Sequence, residues 1–331
     1  MLRKSSAPSS IAQSSFDKIL YLLGIGLVLN LAVSLYTLSK VNPQTANTSS
    51  APANTKAIAF ETTKQNKPEL RFFVMSFCPY GNQIEDVIKP VADLLGDKAD
   101  IRPGYIFDKV DNLNNYCQTR SGDASKCADY VTSGYFKTEA ECKSTISQNL
   151  ATCLDEKNYL KAQNGAYYAS LHGRSEANQN VREICAWNQT DDKKKWWDFI
   201  ARTNSNCTTA NVDSCWTDQA KAAGFDTNQI TDCFNTQASQ LIDKEIADTT
   251  KYDVSGSPTL LLNGAAFPSD NAYSQDGTGG LKIGKKTYSQ NQYRTANFLK
   301  DAVCAGFDKA PKECNTTLDE PAVAGATAGG C

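Results

Sequence analysis

This 331-residue chain is short of two things: histidine, present once, and any excess of charge, since 34 Lys and Arg stand against 36 Asp and Glu. It also lacks one spacing, because none of its 12 cysteines stands two residues from another as CxxC. Without such pairs, and with His172 as the lone histidine, zinc knuckles and most other zinc sites are excluded, so no metal is expected. The net charge of -2 gives no reason to invoke nucleic acid or an anionic surface as partner. Nothing in the chain calls for a cofactor. A disulfide framework formed in an oxidising compartment accounts for the cysteine count.

What is present begins with an apolar run. Ile19–Leu38 carries no charge and, as a helix, would span about 30 Å, enough to cross a bilayer. Arg3, Lys4 and Lys18 precede it, which places residues 1–18 in the cytoplasm and the rest of the chain outside. A cleaved signal peptide is the alternative, but the run is long for one and no clean A-x-A site follows. Residues 39–68, rich in Asn, Thr, Ser, Ala and Pro through their first part, read as a flexible linker.

The folded part is expected over 69–314, followed by a disordered Ala/Gly/Thr-rich tail at 315–331. Its opening is Leu70-Arg-Phe-Phe-Val-Met-Ser-Phe-Cys78-Pro-Tyr-Gly81, an apolar run of strand length that stops at a cysteine. Ile84, Val87, Ile88, Val91, Leu94 and Leu95 then recur at helical spacing. Pro79 suits the first helical position, which puts Cys78 at the N-cap, where the helix dipole favours a thiolate. A second strand is expected at Asp100–Phe107, with Pro103 marking an edge or bulge. Helical patterns fill 138–249, and strands return at Ser257–Asn263 and near Leu281–Ser289 before a last helix at Gln292–Phe307. The order βαβ…ββα, with a helical insertion at about 108–250, is an α/β fold.

Cysteine spacing restricts the pairings. Cys142 and Cys153 share one expected helix and lie roughly 16 Å apart along it, too far to bond. Each must reach back, and a nested hairpin of Cys127 with Cys142 and Cys117 with Cys153 is the economical solution. Cys207 with Cys215 and Cys304 with Cys314 close short loops, and Cys185 with Cys233 remain by elimination. Free core thiols are the alternative for any of these pairs. Cys331 is left either free or joining two chains.

Phe73-Val-Met-Ser-Phe-Cys78-Pro-Tyr-Gly81, followed far downstream by Gly256-Ser-Pro-Thr-Leu260, resembles the thioredoxin-like superfamily, closest in layout to DsbA-type enzymes with their helical insertion. A second stretch, His172-Gly-Arg-Ser-Glu176-Ala-Asn-Gln-Asn180-Val-Arg-Glu-Ile-Cys185, is similar to the signature of the gamma-interferon-inducible lysosomal thiol reductases, which runs Cys-Gln-His-Gly-x2-Glu-Cys-x2-Asn-x4-Cys. His172, Gly173, Glu176, Asn180 and Cys185 match in register, while Ser170, Leu171 and Ala177 depart from it. The resemblance implies a thioredoxin fold with a large disulfide-braced helical insertion. It further implies that Cys78 is the attacking thiol, that Pro258 is a cis-proline packed against it, and that the backbone of Ser257 is free to pair with an extended substrate. Pro79, Tyr80, Gly81 and Ser257 would then line the substrate.

Gly81 stands where a CxxC motif has its second cysteine. With no resolving thiol there, Cys78 is expected to work alone on protein or peptide disulfides, as a membrane-anchored extracytoplasmic oxidoreductase or isomerase whose redox partner the sequence does not name. His172 is either a capping or hydrogen-bonded structural residue, or a group that approaches Cys78 to tune its pKa. A catalytically degenerate module that binds a peptide beside Pro258 is the alternative to an enzyme.

Overall fold

A computed structural model describes residues 57–268, 280–289, 292–320 and 331. In chain order its strands and helices are β1 Ile58–Ala59, β2 Glu69–Val74, α1 Pro79–Leu95, β3 Asp100–Tyr105, β4 Asp108–Val110, α2 Leu113–Arg120, α3 Cys127–Thr132, α4 Glu139–Cys153, β5 Leu160–Lys161, β6 Tyr167–Ala169, α5 Arg174–Gln189, α6 Lys193–Asn206, α7 Val212–Ala222, α8 Thr227–Lys251, β7 Thr259–Leu262, β8 Ala265–Ala266, β9 Gly280–Ile283, β10 Lys286–Ser289 and α9 Ala296–Ala305. They fall into two compact units, one comprising residues 112–155 and the other 57–111 with the described residues from 156 onward.

The larger unit is built on a four-stranded sheet in the order β3-β2-β7-β8, with β2 parallel to β3 and antiparallel to β7. Strand β2 lies inside the sheet and is covered on both faces, which its near-continuous apolar sequence requires. Leu70, Phe72 and Val74 join one buried cluster with Ile84, Val87, Ile88, Val91 and Leu95 of α1, and Phe72 stacks on Trp197 with ring centroids 5.6 Å apart. Arg71 alternates to the opposite face, where its guanidinium meets Asp248 of α8 at 2.5 Å. Pro103 sits on β3, an edge strand, where a missing N–H costs no ladder bond on the outer side. Helices α5 to α8 extend the same core through Val181, Trp196, Phe199, Ile200, Trp216, Ile230 and Ile242. Disulfides tie α5 to α8 (Cys185–Cys233), the end of α6 to α7 (Cys207–Cys215) and α9 to the segment after it (Cys304–Cys314).

The smaller unit has a core of only Cys127, Phe136, Cys142 and Ile146. Two of those four are the halves of one disulfide, Cys127–Cys142, and a second, Cys117–Cys153, encloses it. With so little apolar surface to bury, its helices depend on these covalent links.

Several expectations require correction. The strand read at Leu281–Ser289 is a hairpin, β9 and β10, turned at Gly284 (φ 58°), and it pairs with β1 in a sheet of its own. The stretch at 108–250 is not wholly helical, since β4, β6 and β5 form a third small sheet. Residues 39–68 do not read as linker throughout: Ile58 pairs with Leu281, and Gln65 bridges to Phe307. The tail at 315–331 is likewise structured where it is described. The Glu320 carboxylate accepts from the backbone N–H groups of Ala296 (2.7 Å) and Asn297 (3.1 Å), sealing the start of α9. The expected membrane span at Ile19–Leu38 lies outside the described residues, among which no helix is long and apolar enough to cross a membrane.

Candidate active site

Strand β2 ends inside the sheet and the chain turns into α1 within four residues, Met75 to Cys78. Cys78 is the N-cap of α1, and its sulfur accepts from the Gly81 N–H at 3.4 Å. Pro79 supplies the preset backbone of the first helical position and is exposed, while Tyr80 is half-buried. The sulfur also lies 3.4 Å from the carbonyl oxygen of Ser257, the residue before Pro258, and the Ser257–Pro258 peptide bond is cis. Cys78, Pro258 and Ser257 are thus brought together from opposite ends of the domain.

Cys78 is not a lone thiol. It forms a disulfide with Cys331, the last residue of the sequence, with Cα atoms 6.0 Å apart. The backbone of Cys331 pairs with Ser257 in both directions: Cys331 N–H donates to the Ser257 oxygen at 2.8 Å, and Ser257 N–H donates to the Cys331 oxygen at 3.1 Å. This corrects the expectation of a single cysteine without a partner. Gly81 is buried, and a Cβ built there would stand 2.8 Å from the Ser257 hydroxyl oxygen, which accepts from Met75 N–H at 3.2 Å. The space a CxxC motif would give its second cysteine is therefore taken by Ser257.

The loop before Cys78 is held by one face of α5. Glu176, Asn180 and Glu183 recur at helical spacing and all are buried. The Asn180 side-chain oxygen accepts from the Ser76 N–H at 2.9 Å and from its hydroxyl at 2.5 Å. Glu176 accepts from the Phe77 N–H at 3.0 Å and from the Ser170 hydroxyl at 2.7 Å. It also takes the backbone N–H of His172 at 2.9 Å and the His172 ring Nδ1 at 2.8 Å. Burial alone would push the Glu176 carboxyl up, but the hydrogen bonds and charge of His172 outweigh it and hold the carboxyl below its usual range. The same hydrogen bond raises His172 above the ordinary histidine value, against the opposing pull of its burial. His172 thus meets Glu176, and through Glu176 the backbone beside Cys78. Gly173, at φ 90°, makes the turn that starts α5.

Two further carboxylates were not singled out in the sequence. Glu183 bonds the Tyr105 hydroxyl at 2.7 Å and the Gln179 amide at 3.0 Å, and burial pushes its carboxyl up to about 7. Glu85, inside the apolar stripe of α1, accepts from the Asn204 amide at 2.8 Å; burial and then the charge of Glu183 push it well above the usual range. Burial thus favours the protonated form of both carboxyls. A signal for Glu85 was there, since a glutamate between Ile84 and Val87 interrupts a buried helical face. Among the described residues no cluster of His, Cys, Asp and Glu could hold a metal ion.

The βα turn at Cys78, the returning β7 strand and the intervening helices are the geometry against which likeness to known proteins can be judged. A family model described as the vacuolar sorting receptor thioredoxin-like domain matches residues 126–269. Over that stretch the mixed α/β fold is thioredoxin-like. The matched stretch takes in Pro258 and most of the helices but neither Cys78 nor Cys331. Two solved structures overlap the chain loosely. A candidate protein-disulfide isomerase from Pseudomonas syringae is 10% identical, with 62% of this chain and 87% of that one covered and a TM-score of 0.33. A second candidate protein-disulfide isomerase, from Nitrosomonas europaea, is 12% identical over 67% of this chain and 88% of that one, also with a TM-score of 0.33. No curated protein matches the chain.

Proposed function

We propose that this protein carries out thiol–disulfide exchange at Cys78 on protein or peptide substrates. One observation carries the reading: the Cys78 sulfur sits at the N-terminus of a 17-residue helix, within reach of the Gly81 N–H. Once reduced, that sulfur is favoured as thiolate by the N–H and by the helix dipole, and a thiolate is the attacking and leaving form in disulfide exchange. The Ser257 backbone beside it has an N–H and a C=O that can pair with an extended substrate segment once Cys331 is released. Anchoring through Ile19–Leu38, with the thioredoxin-like part on the extracytoplasmic side, fits a chain whose 12 cysteines all pair. Selective reduction of the Cys78 disulfide followed by alkylation at about pH 6 tests the reading. Cys78 should label at least about tenfold faster than a model thiol with a pKa near 8.5. Labelling at the model rate removes its basis.

A second reading is a peptide-binding module. The family model matched at 126–269 is described as a receptor domain, and it includes the Ser257–Pro258 edge without Cys78. Under this reading Cys78→Ser would bind peptides as the native protein does, and neither would turn over insulin disulfides.

A further inference from the structure

Ten of the twelve cysteines pair among themselves in five disulfides that brace helices and loops, and the sixth disulfide joins the helix-capping sulfur to residue 331. What sets this sixth one apart is how its second half is held. Cys331 and Ser257 exchange both backbone hydrogen bonds, at 2.8 and 3.1 Å, the arrangement of a hydrogen-bonded residue pair in an antiparallel ladder. Cys331 therefore pairs with Ser257 as a residue of a substrate strand would, with its sulfur on Cys78. Space is left for it: a Cβ at Gly256 would come within 2.9 Å of the Cys331 carbonyl oxygen. On the other side of Cys78, the helix position that would carry a resolving thiol is closed by the Ser257 hydroxyl, 2.8 Å from a Cβ at Gly81. Cys78 itself is fully buried under this disulfide, whereas Cys331 is partly exposed.

We propose that Cys331 is the resolving thiol of Cys78, and that in the oxidised protein it occupies the place on Ser257 that a substrate cysteine takes during exchange. The proposal rests on Cys78 being the attacking thiol. In the reduced protein, the Cys78 thiolate attacks one sulfur of a substrate disulfide; a Cys78–substrate bond forms, the substrate S–S bond breaks, and the first substrate sulfur leaves and takes up a proton. The Cys331 thiol, giving up its proton, then attacks the Cys78 sulfur, which forms the Cys78–Cys331 bond and expels the second substrate sulfur as a thiol. Two electrons pass from the protein to the substrate, with one proton supplied by Cys331 and one by solvent; one disulfide is consumed and one is made. The reverse sequence oxidises a substrate dithiol by the same steps. Because the resolving thiol belongs to the same chain, its attack is intramolecular and does not wait on a second molecule. The expectation of a monothiol enzyme is thereby replaced by that of a two-electron couple whose halves lie 253 residues apart in sequence.

The test is a single turnover of the full chain, with the Cys78–Cys331 pair reduced and the other five disulfides intact by mass. The probe is a synthetic peptide with one cysteine, joined through a disulfide to glutathione. The native protein should release two thiols per chain and finish with Cys78 bonded to Cys331. Cys331→Ser should release one thiol and stop as a stable adduct on Cys78, at least about tenfold longer-lived than any adduct on the native protein. Two thiols released by Cys331→Ser, or a lasting adduct on the native protein, overturns the proposal while leaving exchange at Cys78 standing. If neither protein releases a thiol or forms an adduct, exchange at Cys78 falls, and the proposal with it.

Discussion

Glu183 departs from solution behaviour in a definable way: burial pushes its carboxyl up to about 7. In the unfolded chain a glutamate ionises near about 4.3. Between those values the folded protein holds a proton that the unfolded chain has lost, so this contribution to stability is complete below about 4.3 and lost as the pH rises through about 7. Glu183→Gln keeps an oxygen to accept from Tyr105 and removes the titration. Urea unfolding of the two proteins from about pH 4.5 to about pH 8 should show the variant gaining relative stability, on the order of 3 kcal/mol across the range. A gap that does not move with pH would mean that the pair shares its proton some other way. How legible such residues are in sequence follows from their surroundings. Cys78, Pro79, Gly81 and Pro258 stand at junctions between an apolar run and a helix or strand, and the pattern change itself points at them. Cys331 follows an Ala/Gly/Thr-rich stretch that has no period to say where it goes, and Glu183 reads as one charge on a polar helix. Their significance comes from contacts across the fold, between residues 78 and 331 and between 105 and 183.

Among the elements, those with a long apolar period were readable and the short ones were not. β2 and α1 bury a stripe each, and the stripe is visible as residue spacing. β5, β6, β8 and β1 are two or three residues long, too short to show an alternation. β1 and β6 are held by pairing with chain distant in sequence, as Ile58 is by Leu281, while β5 and β8 each pair with a neighbouring strand. In the smaller unit, α2 and α3 show no apolar period to speak of, and cysteine spacing carried the reading instead. That spacing also says what holds the unit together. The Cys127–Cys142 link has a sequence separation of 15, for which chain entropy gives about 3 kcal/mol, and its loss would also remove two of the four residues that make up the unit's core. Replacing both by serine should bring amide hydrogen exchange across 112–155 close to the unfolded rate. Protection in β2, α1 and α8 should persist, since their core contains no residue of the smaller unit. Loss of protection throughout the chain in one step would show instead that the two units unfold as one.

At the scale of the whole molecule, the Cys78–Cys331 bond closes the longest covalent ring among the six, and two opposing effects act on it. If it were a passive staple, a ring of this sequence separation, 253, would constrain the unfolded chain by at most about 5 kcal/mol, less where the shorter disulfides already restrict the same span. A redox couple differs in what the open form gains. On reduction the Cys78 thiolate is held by the helix N-terminus and by the Gly81 N–H, a stabilisation absent from the unfolded chain. That gain in the reduced native state subtracts from the advantage of the closed ring. Unfolding by urea with this one pair oxidised or reduced, and the other five disulfides intact, should therefore differ by less than the chain-entropy figure at about pH 7. A gap of the full size would make the bond a sixth brace, and the helix-capping sulfur a structural one.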